Sequence, residues 1–376
     1  MWQLSEGEKQ IVEILKALYR GAELLIMDEP TAALTPIETE KLLTSIEAMA
    51  KDNVAIVPFI THKLPIVLRI SHRVTVLRRG QVVSCIETEH ATEKSLATEL
   101  VGREVLFNVQ REKAPKGDTI LEVENLVAQS DKGVRALEGV SFSMREGEIF
   151  GIAGVSGNGQ RELVECLAGM RDVVAGKITL DGKEITNASS YARWKAGLGY
   201  IPADRNHLGS IADFSLVENM TMNYYFDDQF QHRGTLDYHK IRQLTDDVIA
   251  EYKVKTPNAD VKAKNLSGGN LQKLILARVL SRNPRLVIAD LPSQGLDIGA
   301  IEFVRNKLNE AKFKKAAVLL ISEDLDEIFS LCDWIAPIYE GRLMGIIPVE
   351  AAHRESVGAM MAGIEMADIE AAGDEP

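Results

Sequence analysis

The chain is poor in aromatics: Phe, Trp and Tyr together make 6% of its 376 residues. Cysteine is scarcer still. Cys85, Cys166 and Cys332 stand isolated, so neither a disulfide framework nor a metal-ligand spacing can be drawn. That usage fits a reducing cytosolic compartment. Basic residues are in deficit, with 43 Lys and Arg against 55 Asp and Glu and a net charge of −12. This argues against nucleic acid as a partner, because phosphate binding needs clustered Lys and Arg. Long apolar runs are missing too. "AAVLLI" (residues 316–321) has the length of a core strand, whereas a membrane span needs about 20 apolar residues. No secretory leader opens the sequence. What remains is a chain with 45% hydrophobic residues, long enough for about two packed domains.

What is present is a repeat. "LSEGEKQ…LLIMDEPTAAL" (residues 4–34) returns as "LSGGNLQ…LVIADLPSQGL" (residues 266–296), an offset of 266 − 4 = 262. Over residues 4–35, 11 of 32 positions are identical without a gap. "ITHKL" (60–64) answers "ISEDL" (321–325) after a one-residue slip. Two copies of one domain are therefore expected.

The second copy carries a further motif. The apolar stretch "EIFGIA" runs into "GVSGNGQRE" (residues 154–162), as a buried strand runs into a loop. Gly154, Gly157 and Gly159 have the spacing of a phosphate cradle, and the P-loop pattern then requires Lys and a hydroxyl. This chain has Gln160 and Arg161 instead. The candidate nucleotide-binding set is Gly154, Val155, Ser156, Gly157, Asn158, Gly159, Gln160 and Arg161. The plainer reading is a tight strand-to-helix turn. Losing the lysine removes a charge interaction of about 4 kcal/mol at close range and an effective dielectric near 20. Arg161 is expected to recover part of it, since guanidinium pairs well with phosphate. By the offset, the first copy's cradle would fall at 154 − 262 = −108, ahead of Met1. The first copy is thus expected to be a C-terminal half that lacks its nucleotide-binding part.

Local patterns divide the chain at residues 1–107 (first copy), 108–118 (a polar linker with Pro and Gly), 119–348 (second copy) and 349–376 (an acidic tail). "LSEGEKQIVEILKALYRGA" has helical spacing with Ser5 as a plausible N-cap, while "LLIM" and "NVAIVPFI" read as buried strands. Strands alternating with helices indicate a parallel α/β architecture.

"LSGGN" followed by an apolar strand, Asp, Pro and "GLD" resembles the ATP-binding cassette of ABC transporters, over nearly the whole chain. The order "GVSGNGQRELVECLAG", "YIPADRNHLGSIADFSLVENM", "LSGGNLQK", "QGLDIGA", with "PTAALTP" and "THKL" in the first copy, looks like the tandem ATPase subunit of bacterial simple-sugar and nucleoside importers. "GNGQRE" resembles the nucleoside-importing branch more than the ribose or galactose branch. The resemblance implies an α/β fold of two ABC-type P-loop NTPase cassettes, one partial and one complete. It also implies ATP and Mg²⁺ as cofactors, head-to-tail pairing of cassettes, and each ATP held between one phosphate loop and the other copy's signature. The implied partners are permease transmembrane subunits and a solute-binding protein, with the chain peripheral on the cytoplasmic membrane face.

Carried onto this sequence, the resemblance makes Asp28 and Asp290 the Mg²⁺-holding residues. Glu29 becomes the residue that orients or deprotonates water, and His62 the contact to the terminal phosphate. Ser5 and Gly7 form the first signature, and Ser267, Gly268 and Gly269 the second. The bland alternative is a strand-terminating turn at 28–30 and a surface histidine. The second copy departs from the pattern: Leu291 replaces the base and Glu323 replaces the histidine. No aromatic lies between Phe107 and Phe142, where cassettes usually stack adenine. Glu6 interrupts the first signature. One competent site on the first copy and one degenerate site on the second are therefore expected. "YIPADRNHLG" lacks the usual glutamine, leaving Asp204 and Arg205 as a structural pair or a permease contact. Two rivals remain: a soluble tandem ABC protein, disfavoured by Leu291 and the short linker, and a truncated remnant that does no transport.

Overall fold

The computed structural model describes residues 6–19, 24–31, 36–51, 58–61, 63–78, 80–102, 117–232 and 234–365. Two compact units divide at residues 107/108, the first also claiming Asp297–Gly299. Most of the expected linker lies outside the described residues.

In the first unit the helix Glu6–Tyr19 precedes a two-residue strand, Met27–Asp28, which pairs in parallel with Phe59–Ile60. Helices Pro36–Lys51 and Leu64–Ile70 follow those strands. An antiparallel hairpin, Arg73–Arg78 with Gln81–Glu87, then leads to the helix Glu93–Val101. Thr92 and Ser95 cap that helix reciprocally: Thr92 Oγ1 accepts from the Ser95 N–H, and the Ser95 hydroxyl oxygen accepts from the Thr92 N–H. Two small cores form, Leu25, Met27, Leu43 and Ile46 in one and Leu64, Val76, Leu96 and Ala97 in the other.

The second unit is built on a seven-stranded sheet. Its five parallel strands run in the order Leu198–Ile201, Leu286–Asp290, Ala317–Ser322, Ile149–Ala153 and Trp334–Tyr339. Each strand is buried on both faces, which is why these segments read as unbroken apolar runs. Phe150, Ile152, Leu286, Ile288 and Leu319 pack against a four-stranded antiparallel sheet that includes Thr119–Gln129 and Arg135–Arg145. Ile149, Val287, Ala289, Val318 and Leu320 face the helical side, where Leu271, Leu274 and Ile275 meet them. Phe142 and Phe150 stack at 5.0 Å between the sheets.

Repeat-equivalent strands differ in cover. Leu286 and Ile288 are 0% exposed, whereas their counterparts Leu24 and Ile26 are 53% and 62% exposed. Among the described residues Met27–Asp28 has one neighbouring strand, while Leu286–Asp290 has two.

The boundary expected at residue 348 is too early. Residues 354–361 form a helix whose Val357 and Met361 join the core, so the acidic tail begins later than composition suggests. Short apolar spacing hidden among polar residues explains the miss. Residues 366–376 lie outside the described set.

Buried Arg193 ties the second unit together. Its guanidinium donates to Cys166 O, to Leu167 O (2.8 Å) and to Thr186 O (2.8 Å), and its Nε donates to Ala188 O (3.0 Å). Cys166 and Leu167 end the helix that the Gly-rich loop begins, so Arg193 satisfies carbonyls the helix cannot. Arg193→Ala should lower the unfolding free energy by about 3 kcal/mol, read by urea denaturation, because it strands several buried carbonyls. A loss under about 1 kcal/mol would show that water replaces the guanidinium.

Candidate nucleotide site

The strand Ile149–Ala153 delivers the chain into residues 154–159, and Gln160 starts the helix Gln160–Ala168. Gly157 and Gly159 have φ of +96° and +98°, in the left-handed region that side chains resist. At Gly154 the constraint is space: a Cβ would lie 2.6 Å from Ile338 Cγ2 and 2.4 Å from Gln160 Nε2. The loop is a cradle in shape, with the first-turn N–H groups of the helix opening into it.

The side chains use the cradle differently from the expectation. Gln160 is 7% exposed and folds into the loop. Its Oε1 accepts from the Asn158 N–H at 3.1 Å, and its Nε2 donates to Val155 O at 2.8 Å. Asn158 Nδ2 donates to the same carbonyl at 3.1 Å, and Asn158 Oδ1 accepts from the Glu340 N–H at 3.0 Å. Ser156 N–H donates to Glu323 Oε1 at 2.9 Å. Arg161 does not replace the lysine. Its Nε donates to Glu165 Oε1 at 2.7 Å, and a second nitrogen lies 3.5 Å from Asp131. Those carboxylates hold the guanidinium outside the loop, which corrects the expected compensation.

Asp290 ends its strand beside this loop. Tyr200 donates its hydroxyl to Asp290 Oδ2 at 3.4 Å. Burial pushes the Asp290 carboxyl up to about 6; hydrogen bonds from Tyr200 and the Ala203 backbone oppose that, and the charges of Glu165 and Glu323 reinforce it. An acidic side chain at a strand end next to a phosphate cradle fits a divalent cation. The hydroxyl that would share the ion is absent, since Arg161 holds its position.

Leu291 repeats the backbone of Glu29. Glu29 has φ +46° and donates its N–H to Ile60 O; Leu291 has φ +44° and donates to Ile321 O. For leucine this conformation costs about 1–2 kcal/mol. The surroundings of the two residues differ. In the first copy the Thr61 hydroxyl donates to Glu29 Oε2 at 3.2 Å and accepts from the Lys63 N–H at 3.1 Å. In the second, Ser322 holds the equivalent place, and its hydroxyl donates to buried Glu327 at 2.7 Å. Ser293 donates to the other oxygen of Glu327. Sequence reasoning missed Thr61 and Glu327. Thr61 stood inside a quoted motif with no partner visible, and the partners of Glu327 lie on other elements.

Ser267 holds the N-cap position of the helix Gly268–Leu280 without a side-chain capping bond, and Ser267 and Gly268 are exposed at its start. Asn270 donates to the Ser267 hydroxyl at 2.8 Å. Arg205 does not pair with Asp204. It donates through Nε to Gln272 Oε1 at 3.0 Å and through a second nitrogen to Gln294 O, while Asp204 accepts from the Asn206 and His207 N–H groups. Buried Gln272 donates onward to Pro292 O at 2.8 Å, so this network joins the signature helix to the loop after Asp290. In the first copy Gly7 lies in the helix Glu6–Tyr19 and Asp28 is exposed at its strand end. Ser5 and His62 fall outside the described residues.

A parallel sheet whose Gly-rich loop opens a helix, followed by a helix started by Ser-Gly-Gly and a strand ending in Asp, defines an ATP-binding cassette. The chain belongs to the ABC transporter family, whose profile matches residues 1–32 and 137–294. It is 45% identical over 96% of its length to the glucose import ATP-binding protein TsgD13 of Haloferax volcanii. It is 41% identical to the guanosine import ATP-binding protein NupO of Bacillus subtilis and 39% to the nucleoside import ATP-binding protein NupA of Lactococcus lactis, again over 96% of this chain. The chain spans 66%, 70% and 71% of these relatives' lengths, respectively. The fold is shared with the ABC transporter component cbiO1 from Clostridium perfringens, at 22% identity and a TM-score of 0.53, covering 69% of this chain and 100% of that one. A dimeric cassette bound to ADP and Pi matches at a TM-score of 0.54 and 21% identity, covering 61% and 99%.

Two outcomes follow from this geometry. The folded chain holds the Asp290 proton more tightly than the unfolded chain, so ionised Asp290 costs stability above about pH 6. Asp290→Asn should therefore stabilise the ligand-free chain by about 2 kcal/mol at pH 7.5, and the gain should fade as pH falls toward 4. Denaturation at both pH values checks the sign; equal stability of the two proteins at pH 7.5 would contradict the upward push on the carboxyl. Second, Leu291→Glu should leave phosphate release at background, because the Ser322 hydroxyl is committed to Glu327 and cannot orient a new carboxylate. A rise of tenfold or more would contradict this.

Proposed function

We propose that the chain is the ATP-binding subunit that energises an importer of simple sugars or nucleosides from the cytoplasmic face of the membrane. The observation that carries this reading is the pair of strand ends: Asp28-Glu29 and Asp290-Leu291 have the same backbone, but only the first keeps a carboxylate oriented by a hydroxyl. Relatives named for glucose, guanosine and nucleoside import support the solute class. Among the described residues no helix is long and apolar enough to cross a membrane, so permease subunits supply the path, with a solute-binding protein delivering the solute.

Within this reading, hydrolysis belongs to a site on the first copy. Glu29 holds or takes the proton of the attacking water, Thr61 aims its carboxylate, and His62 contacts the terminal phosphate. Ser267, Gly268 and Gly269 keep the signature sequence intact. Asp28 and Asp290 hold Mg²⁺, which supplies charge neutralisation for the phosphates when bound. Residues 154–161 form the degenerate second site, which holds nucleotide through backbone N–H groups. Exposed Tyr191, Tyr225 and Phe226 cluster with Trp194, whose ring Arg282 covers at 3.5 Å; this aromatic surface is suited to a permease segment.

Reconstitution with the permease in vesicles, with the first copy supplied with a phosphate loop of its own, tests the reading, since Glu29 has no phosphate to act on without one. ATP-dependent uptake of a sugar or nucleoside is expected. Glu29→Gln should lower coupled hydrolysis by about 10²-fold or more, and Asp290→Asn by far less. Uptake without ATP, or equal loss from both variants, would overturn the assignment.

A further inference from the structure

The second site carries an internal anion. Glu323 stands where His62 stands in the first copy, and its Oε1 accepts the Ser156 N–H of the Gly-rich loop at 2.9 Å. The loop therefore has two unlike ends. At one end the helix Gln160–Ala168 presents first-turn N–H groups with a positive partial charge. At the other end a carboxylate already occupies a loop donor.

Neither replacement at the end of the motif offsets that charge. Gln160 is neutral and uses its amide inside the loop, accepting from Asn158 and donating to Val155. The Arg161 guanidinium is held by Glu165 and lies beside Asp131. A phosphate chain lying along the loop meets attraction at the helix start. Each further phosphate that reaches toward Ser156 meets the Glu323 carboxylate and must displace it from the Ser156 N–H.

We propose that the second site selects nucleoside diphosphate over triphosphate, and that Glu323 is the residue that sets this selectivity. The proposal rests on the reading of residues 154–161 as a nucleotide site and goes past it, to which nucleotide is held and why. A site of this kind keeps a diphosphate while a triphosphate is turned over elsewhere.

The experiment is calorimetric titration of the full chain with ADP and with ATP, each with Mg²⁺, for the wild type, Glu323→Gln and Glu323→Ala. The wild type should bind ADP about tenfold or more tightly than ATP, and rising salt should narrow the ratio. Glu323→Gln keeps an acceptor for the Ser156 N–H and removes the charge. It should bring the two affinities within about threefold, mainly by tightening ATP. Glu323→Ala should act in the same direction, which separates charge from the lost hydrogen bond. Equal affinities in the wild type, or an unchanged ratio in both variants, would overturn the selectivity. Failure of all three proteins to bind either nucleotide, with unchanged melting temperatures, would instead overturn the nucleotide-site reading. Binding abolished by Gly157→Val in a protein that melts normally places the measured affinity at this loop; binding that survives there counts against both.

Discussion

A strand that ends in a tight Gly-rich turn leaves several backbone N–H groups pointing into one small space. They must meet an acceptor. That requirement organises the second unit. The loop is fixed from behind by Gly154 against Ile338 and by Asn158 against the Glu340 N–H. The helix it opens is fixed at its far end by Arg193. In a P-loop with the usual lysine, phosphate is the acceptor that such a turn awaits. Here part of the demand is met by the protein itself, through Gln160 and Glu323.

The two copies show how one backbone serves different chemistry. The residue after the strand-end aspartate is left-handed in both, because its N–H must reach the carbonyl of the neighbouring strand. In the first copy that geometry presents a glutamate to the Thr61 hydroxyl. In the second it holds a leucine in a conformation leucine disfavours, and the matching hydroxyl has turned to Glu327. The hydrogen-bonding group next to the lost carboxylate has acquired another partner. Degeneration of this site is therefore a rewired network as well as a list of missing residues.

The same division appears in charge. Lysine is lost from the cradle, an acid enters from position 323, and the neighbouring arginine is withdrawn by Glu165 and Asp131. Asp290 is half-buried, and that loss of solvent pushes its carboxyl up more than the hydrogen bonds from Tyr200 and the Ala203 backbone can offset.

The amino-acid order by itself determined the duplication, the α/β class, the cradle at residues 154–161 and the strand ends at Asp28 and Asp290. Each is a local pattern: a spacing of glycines, an apolar run, a repeated string. It also marked Leu291 and Glu323 as departures, because the second copy could be compared with the first, and Gln160, because the P-loop pattern requires lysine there. Only the tertiary structure decided where those departures point. Gln160 folds inward, Arg161 outward, Glu323 onto Ser156, Arg205 onto Gln272 rather than Asp204, and residues 354–361 onto the core. These outcomes depend on partners 4 to 167 positions away. A side chain's partner is set by which elements converge on it, and a linear string records that convergence only where the motif is already known.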